Sequence, residues 1–195
     1  MYLILFWLLC ALVTTCEKIA YLFSCHQQPE VLLATVLKQM SSKNLSSSIE
    51  VAVRAKSPMG RIFSAALKRL PCKAEEFQAV LDQAALEELP RIGKRIPLLA
   101  LYANLAMLCG LFGTIVGLIK AFDSVGGPTL AATDKARVLA EGISEAMNCT
   151  AFGLISAILA LISFSFLSNW VQTLEDDIHA RTVQLYNYVI EDTSV

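Results

Sequence analysis

The amino-acid sequence predicts an all-α integral membrane protein with three transmembrane helices, from its composition and from the distribution of its charges. Of the 195 residues, 55% are hydrophobic and 17% are charged, and the mean hydropathy is +0.56; these values are typical of a membrane protein. Three segments carry almost no charge, residues 1–16, 96–119 and 146–174. A helix needs about 20 mostly apolar residues to cross a bilayer, so each segment can hold one span.

The first transmembrane helix is predicted over residues 1–23. Its uncharged part reaches the required length if Glu17 and Lys18 lie among the lipid headgroups. A cleaved signal peptide over residues 1–25 is the alternative interpretation. The segment has neither a basic stretch at its start nor a clear small-x-small cleavage site, which favours the transmembrane helix.

Residues 24–95 are predicted to form a cytoplasmic helical segment. They contain eleven lysines and arginines, and cationic loops resist translocation across the membrane. Apolar residues recur at helical spacing over residues 30–40, 49–70 and 73–89, so we expect amphipathic helices that stack as a bundle. The polar run "SSKNLSSS" at 41–48 is interpreted as a linker or a helix cap.

The rest of the chain predicts a hairpin of two transmembrane helices, followed by a helix outside the membrane. The second span is placed at 96–122, a short periplasmic loop at 123–137, and the third span at 138–170. The loop contains only two basic residues and the turn cluster "SVGGPT". Residues 171–195 are predicted to form a cytoplasmic C-terminal helix, as an extension of the long third helix into the cytoplasmic bundle. The cations of residues 24–95 predict a periplasmic amino terminus and a cytoplasmic carboxyl terminus.

Small residues form a stripe on each helix of this hairpin. In the second span, "GLFGTIVG" places Gly110, Gly113 and Gly117 on one face together with Thr114. The third span has a matching stripe that includes Gly142, Ala146 and Gly153. Small residues at this spacing let helix backbones approach closely. The stripes therefore predict either a tightly packed hairpin within one chain or a ring of several subunits.

Three polar residues in these spans are the candidate functional residues: Thr114, Glu145 and Thr150. An ionised side chain costs roughly 2.5–3.5 kcal/mol at the centre of a membrane helix, so Glu145 is expected to border a polar path. Each threonine could instead bond the carbonyl four residues earlier in its own helix. Glu141, one turn from Glu145, is interpreted as an acid in the first turn of the helix.

The sequence offers little support for other functional classes. The six cysteines form no C-x-x-C pair and no metal-ligand spacing, so we expect free thiols and neither a metal nor another cofactor. The chain has no visible nucleophile and base or phosphate-binding loop, and we therefore predict that it is not an enzyme. The basic residues of 24–95 are interleaved with seven acids, which does not support nucleic-acid binding.

Two stretches carry a resemblance to a known family. "GLFGTIVGLIKAF" (110–122) and "LAEGISEAMNCTAFGLISAILAL" (139–161) resemble the paired signature of the MotA/TolQ/ExbB proton channel family, and most closely its three-span ExbB/TolQ-like branch. "GRIFSAALKRL" (60–70) agrees with the same branch. Met107 and Leu159 stand where members of this family commonly have prolines.

The resemblance implies a homopentameric ring in the bacterial inner membrane. Its lumen would hold a dimer of a single-span partner of the ExbD, TolR or MotB type, which carries an intramembrane aspartate. Thr114 and Thr150 would face that aspartate, Glu145 would conduct or gate protons, and the small residues Gly110, Gly113, Gly117, Gly142, Ala146 and Gly153 would pack the helices around the lumen. The implied function is a stator or energy-transducing motor driven by the proton motive force.

The resemblance does not indicate which process such a motor would power. A scaffold membrane protein with the same packing and no conduction is the alternative. A solute transporter is disfavoured because the sequence shows no internal repeats or broken helices.

Overall fold

The structure, a computed structural model, describes residues 2–25, 29–41, 44–55, 57–126 and 132–193. In these residues all regular secondary structure is α-helical, which confirms the predicted all-α class. The helices are α1 (Tyr2–Cys25), α2 (Pro29–Ser41), α3 (Leu45–Arg54), α4 (Pro58–Leu67), α5 (Ala74–Gly93), α6 (Ile96–Val125) and α7 (Ala132–Thr193).

Three helical stretches are long and apolar enough to cross a membrane. They lie within Tyr2–Ser24, Ala74–Val125 and Thr133–Glu191. Their number and positions agree with the three predicted spans. This agreement is expected, because the length of an apolar segment can be read directly from the sequence. Met107 and Leu159 lie inside α6 and α7, which are helical on both sides of these residues.

The described chain divides into two compact units. The first contains the residues up to Glu17 together with Arg95–Phe166, and the second contains Lys18–Lys94 and the chain from Leu167 onward. In the first unit, the Trp7 ring of α1 stacks on Tyr102 of α6 at 5.8 Å between centroids. In the second unit, fully buried side chains form an apolar core, among them Leu22, Ile62, Phe63, Leu67, Phe77, Leu81, Ile92, Ile178 and Leu185.

A left-handed residue separates α5 from α6. Arg95 has φ 74°, a conformation that residues with a Cβ adopt infrequently. The helix restarts at Ile96, and Pro97 lies in the first turn, where its missing N–H removes no intrahelical bond. The guanidinium of Arg95 pairs with Glu17 of α1 at 2.5 Å, so both residues that flank the predicted spans lie at the same end of the first unit.

The predicted loop at 123–137 is too long. The helix α6 continues to Val125 and α7 begins at Ala132; residues 127–131, which include the second half of the turn cluster, lie outside the described residues. The N–H of Gly126 donates to the carbonyls of Phe122 and Asp123, which closes the last turn of α6 three residues later than predicted.

The third helix continues beyond its predicted span, as expected, because α7 is one helix of 62 residues that includes residues 171–193 of the predicted C-terminal helix. Residues 154–193 contain neither glycine nor proline, so nothing in this stretch favours a helix end. Residues 194–195 lie outside the described residues.

The predicted helix over 49–70 is two helices. Ser57 caps α4, since its Oγ accepts from the N–H of Gly60 at 3.1 Å, and Pro58 occupies the first turn. This start signal inside an apolar pattern divides α3 from α4. In the polar run 41–48, Asn44 caps α3. The helix α5 extends through Pro90 to Gly93, beyond the predicted end at residue 89.

Candidate functional site

The small-residue stripes of α6 and α7 contact each other within one chain. A Cβ added at Gly110 would lie 3.1 Å from the Cα of Gly153, and one added at Gly153 would lie 2.9 Å from the Cα of Gly110. Real Cβ contacts are almost never this short, so a side chain at either position would force the helices apart. The two backbones are therefore in direct contact at this point.

The same close contact continues toward the loop that joins the two helices. A Cβ on Gly113 would lie 3.1 Å from the Cβ of Cys149, and a Cβ on Gly117 would lie 2.8 Å from that of Ala146. At Gly142 the corresponding distance, to the Cβ of Ala121, is 2.5 Å. The six predicted small residues therefore pack the α6–α7 hairpin, and their additional role around a lumen stays a prediction.

Thr150 donates a hydrogen bond across this hairpin. Its hydroxyl lies 3.2 Å from the carbonyl oxygen of Gly110 and is partly buried. The carbonyl is within reach because Gly110 and Gly153 bring the two backbones together. This hydrogen bond joins α7 to α6. It is not the alternative predicted for Thr150, a bond to a carbonyl of its own helix, and the lumen-facing role stays a prediction.

Thr114 donates a hydrogen bond within its own helix. Its hydroxyl lies 2.6 Å from the carbonyl oxygen of Leu111, three residues earlier. The acceptors of the two threonines are therefore consecutive carbonyls of α6, Gly110 and Leu111. Consecutive residues of a helix differ by about 1.5 Å along its axis, so both hydroxyls lie at nearly the same level of the hairpin.

Glu145 is exposed and lies between two cavities of the first unit. The larger cavity, of about 540 Å³, is also lined by Lys120, Ser124 and Glu141. The smaller cavity, of about 450 Å³, is mostly apolar and is bounded by α1 and α7. Glu145 therefore borders a polar space on one side and an apolar space on the other.

The structure separates Glu145 from the two threonines. Glu145 shares a face of α7 with Cys149 and Phe152, whereas Thr150 points to α6. Thr114 and Thr150 line neither of the two cavities. Within one chain, the three predicted polar residues thus form two neighbouring groups: Glu145 at the cavities, and Thr114 with Thr150 between the helices.

Two residues of the larger cavity were not among the candidates predicted from the sequence. Lys120 and Ser124 line the larger cavity with Glu145. Lys120 could have been found, because it is a single cation inside the predicted span 96–122 and intramembrane cations are infrequent without a role. Ser124 carries no such signal, since serine is common where helices end.

The sequence of this chain matches a known protein family. Residues 54–180 match the model of the MotA/TolQ/ExbB proton channel family. The matched range includes all of α6, residues 132–180 of α7 and part of the second unit.

Several curated relatives are similar to the chain. The chain is 36% identical to the biopolymer transport protein ExbB-like 3 of Synechocystis over 67% of its length and 62% of the relative. It is 35% identical to the Tol-Pal system protein TolQ of Haemophilus influenzae over 50% of its length and 41% of that protein. A third relative, the ExbB homolog of Methanothermobacter thermautotrophicus, is 26% identical over 94% of the chain and 64% of the relative.

The chain thus spans between 41% and 64% of the length of these relatives. Its three apolar helices and its similarity to ExbB and TolQ proteins identify a multi-pass inner-membrane protein. Because the family model matches well over half of its residues, the chain belongs to the MotA/TolQ/ExbB proton channel family, in its ExbB/TolQ-like branch.

Proposed function

We propose that this protein is the ring subunit of an energy-transducing motor driven by the proton motive force. Five copies form a homopentamer whose hairpins surround a dimer of a single-span partner of the ExbD, TolR or MotB type. Protons pass between the ring and an intramembrane carboxyl group of that partner. Each charge that crosses about 100 mV releases roughly 2.3 kcal/mol, and the motor converts this free energy into rotation of the partner or mechanical work at the envelope.

One observation carries the proposal. Glu145 is a carboxylate that lines a cavity with Lys120 and Glu141, inside a largely apolar hairpin of a chain that belongs to a family of proton channels. An ionisable residue in a membrane-spanning helix is costly unless it borders water or a partner. A role in proton transfer explains why the hairpin contains it.

The outward faces of the hairpin support an assembly with other chains or lipid. Large apolar side chains are exposed on α6 and α7 in a single chain, among them Leu108, Leu111, Phe112, Ile115, Met147, Phe152, Ile155, Ile158 and Ile162. Apolar surface of this extent is stable only when lipid, a second copy or a partner helix covers it. In a ring with a central partner, lipid, neighbouring copies and the partner helices each cover part of this apolar surface.

The distribution of cations supports the proposed orientation. Residues 24–95 contain eleven lysines and arginines, so the second compact unit is placed in the cytoplasm, with the amino terminus in the periplasm and the carboxyl terminus in the cytoplasm. The loop that joins α6 and α7 then lies in the periplasm, and the Glu145 cavities lie toward that side.

A non-conducting scaffold is the second candidate, and one observation favours it. The glycine stripes pack α6 on α7 within one chain, which explains their spacing without any ion path. The scaffold predicts that Thr114→Val and Glu145→Ala leave the activity of the native system unchanged, whereas the motor predicts that each change impairs it.

Gentle extraction from the native membrane, followed by mass spectrometry of the intact complex, tests the proposal. We expect a mass that fits five copies of this chain and two copies of a single-span companion with one intramembrane carboxyl group. Recovery of a monomer without a companion would contradict the motor and leave the scaffold as the better account.

A further inference from the structure

We infer that the two cavities of the first unit together bind one phospholipid whose headgroup carries a primary ammonium group, of the phosphatidylethanolamine class. The larger cavity holds the headgroup and the smaller cavity holds an acyl chain. The inference goes beyond the proposed function and does not depend on it, because it requires only α1, the α6–α7 hairpin and a bilayer.

The two cavities adjoin each other and differ in polarity. Ile4, Glu145 and Cys149 line both of them, so one ligand can extend from one cavity into the other. The larger cavity has a volume of about 540 Å³ and the smaller one of about 450 Å³. Both volumes are within the range of about 300–1,000 Å³ that is usual for small-molecule sites. A polar cavity beside an apolar one in a membrane-spanning unit suits an amphiphile.

The larger cavity contains charges of both signs. The described residues that line it include one cation, Lys120, and two carboxylates, Glu141 and Glu145. None of the three forms a salt bridge with another described residue, so their charges are available to a ligand. A zwitterionic headgroup, with one phosphate and one ammonium group, complements this arrangement.

Lys120 lies between the two carboxylates along the axis of the hairpin. Gly117 lies against Ala146, and Gly142 lies against Ala121, so residue 120 is level with a position between residues 141 and 145 of α7. Consecutive helical residues differ by about 1.5 Å along the axis. A phosphate at the lysine therefore leaves the ammonium group within reach of the carboxylate that is nearer to the end of α6.

The polar atoms of the larger cavity favour a primary ammonium group over a quaternary one. Ser124 lines this cavity, and its hydroxyl donates to the carbonyl oxygen of Lys120 at 2.8 Å. A hydroxyl has a single proton, so the Ser124 oxygen offers only lone pairs to a ligand. An ethanolamine ammonium has N–H donors for this oxygen and for the Glu141 carboxylate, whereas choline has none.

The smaller cavity suits an acyl chain. Its apolar lining includes Leu5 and Leu8 of α1 and Phe152 of α7. The hydroxyl of Ser156, which also lines it, donates to the carbonyl of Phe152 within α7. Water in this space would find few polar partners, whereas an acyl chain can fill it by van der Waals packing.

Native mass spectrometry of the protein extracted from its membrane tests the headgroup. The extracted assembly is incubated with equal amounts of phosphatidylethanolamine, phosphatidylcholine and phosphatidylglycerol, all with the same deuterated acyl chains. We expect phosphatidylethanolamine to bind about tenfold more than either of the others, because choline lacks N–H donors and glycerol lacks the positive charge. Equal binding of phosphatidylethanolamine and phosphatidylcholine would overturn the inference.

Two variants test the role of each charge in the same measurement. Lys120→Gln removes the cation that holds the phosphate and should weaken the binding of phosphatidylethanolamine about tenfold. Glu141→Gln should remove the preference for phosphatidylethanolamine over phosphatidylcholine. Arg137→Gln is the control, since Arg137 is an exposed cation of α7 that lines neither of the two cavities. Equal binding by Lys120→Gln and Arg137→Gln would overturn the headgroup site.

Free phosphoethanolamine distinguishes the lipid from a soluble ligand with the same headgroup. Because it lacks acyl chains, it should not displace deuterated phosphatidylethanolamine when the two are present at the same concentration. Displacement under these conditions would show that the smaller cavity contributes nothing, and the assignment to a lipid would be wrong.

Photo-crosslinking locates the acyl chain. Phosphatidylethanolamine with a photoactivatable group in its acyl chain, in vesicles of phosphatidylcholine, should label residues 2–8 and 149–156 of the assembly. Leu5→Trp fills the smaller cavity and should remove most of this label. Leu9→Trp is the control: Leu9 is 59% exposed and Leu5 is 60% exposed, but Leu9 lines neither cavity.

The outcomes of these experiments separate the lipid from the motor. Labelling of the dissociated chain but not of the assembly would show that a protein segment fills the smaller cavity, and would overturn the inference while the motor stands. If the chain is recovered without a companion and still prefers phosphatidylethanolamine in a manner that depends on Lys120, the proposed function fails and the lipid site stands.

Discussion

Glu88 shows how a single carboxylate joins two helices of the second unit. It is 8% exposed, and its two oxygens accept from Arg61 of α4 at 2.6 Å and from Arg91 of α5 at 2.7 Å. Both oxygens are therefore engaged, which reduces the cost of burying the charge. Arg61 lies in the "GRIFSAALKRL" stretch of the sequence, so part of that motif serves the packing of α4 on α5.

We expect Glu88→Gln to lower the free energy of unfolding by about 1.5–3 kcal/mol, because it weakens two hydrogen bonds between charged groups. Glu50→Gln is the matched control: its pair with Arg54 has the same length of 2.7 Å, but both side chains are more than half exposed. The control should cost less than about 1 kcal/mol. Chemical denaturation of the two variants measures the difference, and equal losses would contradict a special role for Glu88.

Glu175 makes the stability of the second unit depend on pH. Burial raises the pKa of its carboxyl group above the ordinary value of 4.5; the neighbouring Asp176 raises it further and His179 opposes the change. The folded chain therefore holds this proton more tightly than the unfolded chain. The resulting stabilisation is complete below the unfolded pKa and is lost as the pH rises through the folded pKa.

Glu175→Gln keeps this side chain neutral at every pH. We predict that the variant has a higher thermal midpoint than the natural chain at pH 7, and that the difference disappears in acid below the unfolded pKa. Asp82→Asn, at an exposed acid of α5, should show no such difference. A variant that is less stable than the natural chain at pH 7 would show that the carboxylate makes a favourable contact.

On the scale of helices, the approach of α6 to α7 depends on residues without a side chain. Gly142→Ala places a Cβ 2.5 Å from that of Ala121, whereas Gly126→Ala places one 3.6 Å from its nearest neighbours. We expect the first change to cost about 1–3 kcal/mol, as overpacking does, and the second to have little effect. Unfolding in mixed micelles measures both; similar stability of the two variants would contradict the close contact.

The presence of the helices could be predicted from the sequence. The residues at which they begin and end could be predicted less accurately. The absence of charge over 96–119 and 146–174 was sufficient for α6 and α7. The division at Ser57 and Pro58 was missed because the apolar stripe continues across it, although a serine followed by proline is a helix start signal. The predicted end of the helix at residue 89 is wrong, since α5 continues through Pro90 to Gly93.

The candidate residues of the site could be selected from the sequence, whereas their contacts could not. Composition and spacing selected Thr114, Glu145 and Thr150, because polar groups in apolar spans are conspicuous. The bond from Thr150 to the Gly110 carbonyl depends on how two helices meet, and side-chain spacing within each helix does not fix that. The separation of Glu145 from the threonines has the same origin.

On the scale of the whole molecule, the two compact units have different chemistry. The first contains the apolar hairpin and the Glu145 cavities. The second contains the buried carboxylate of Glu88 with its two arginine partners and a large apolar core, and it includes most of the lysines and arginines of the chain. This division fits a protein with one unit in the bilayer and the other in the cytoplasm, as the proposed motor requires.

Proton uptake by vesicles that contain the chain and its companion tests the central claim most directly. A membrane potential, negative inside, should drive uptake by the natural complex. Glu145→Gln should reduce it to the level of empty vesicles. Asp134→Asn, at an exposed acid in the first turn of the same helix, should leave it unchanged. Undiminished uptake in assembled Glu145→Gln complexes would contradict the claim that this carboxylate carries protons.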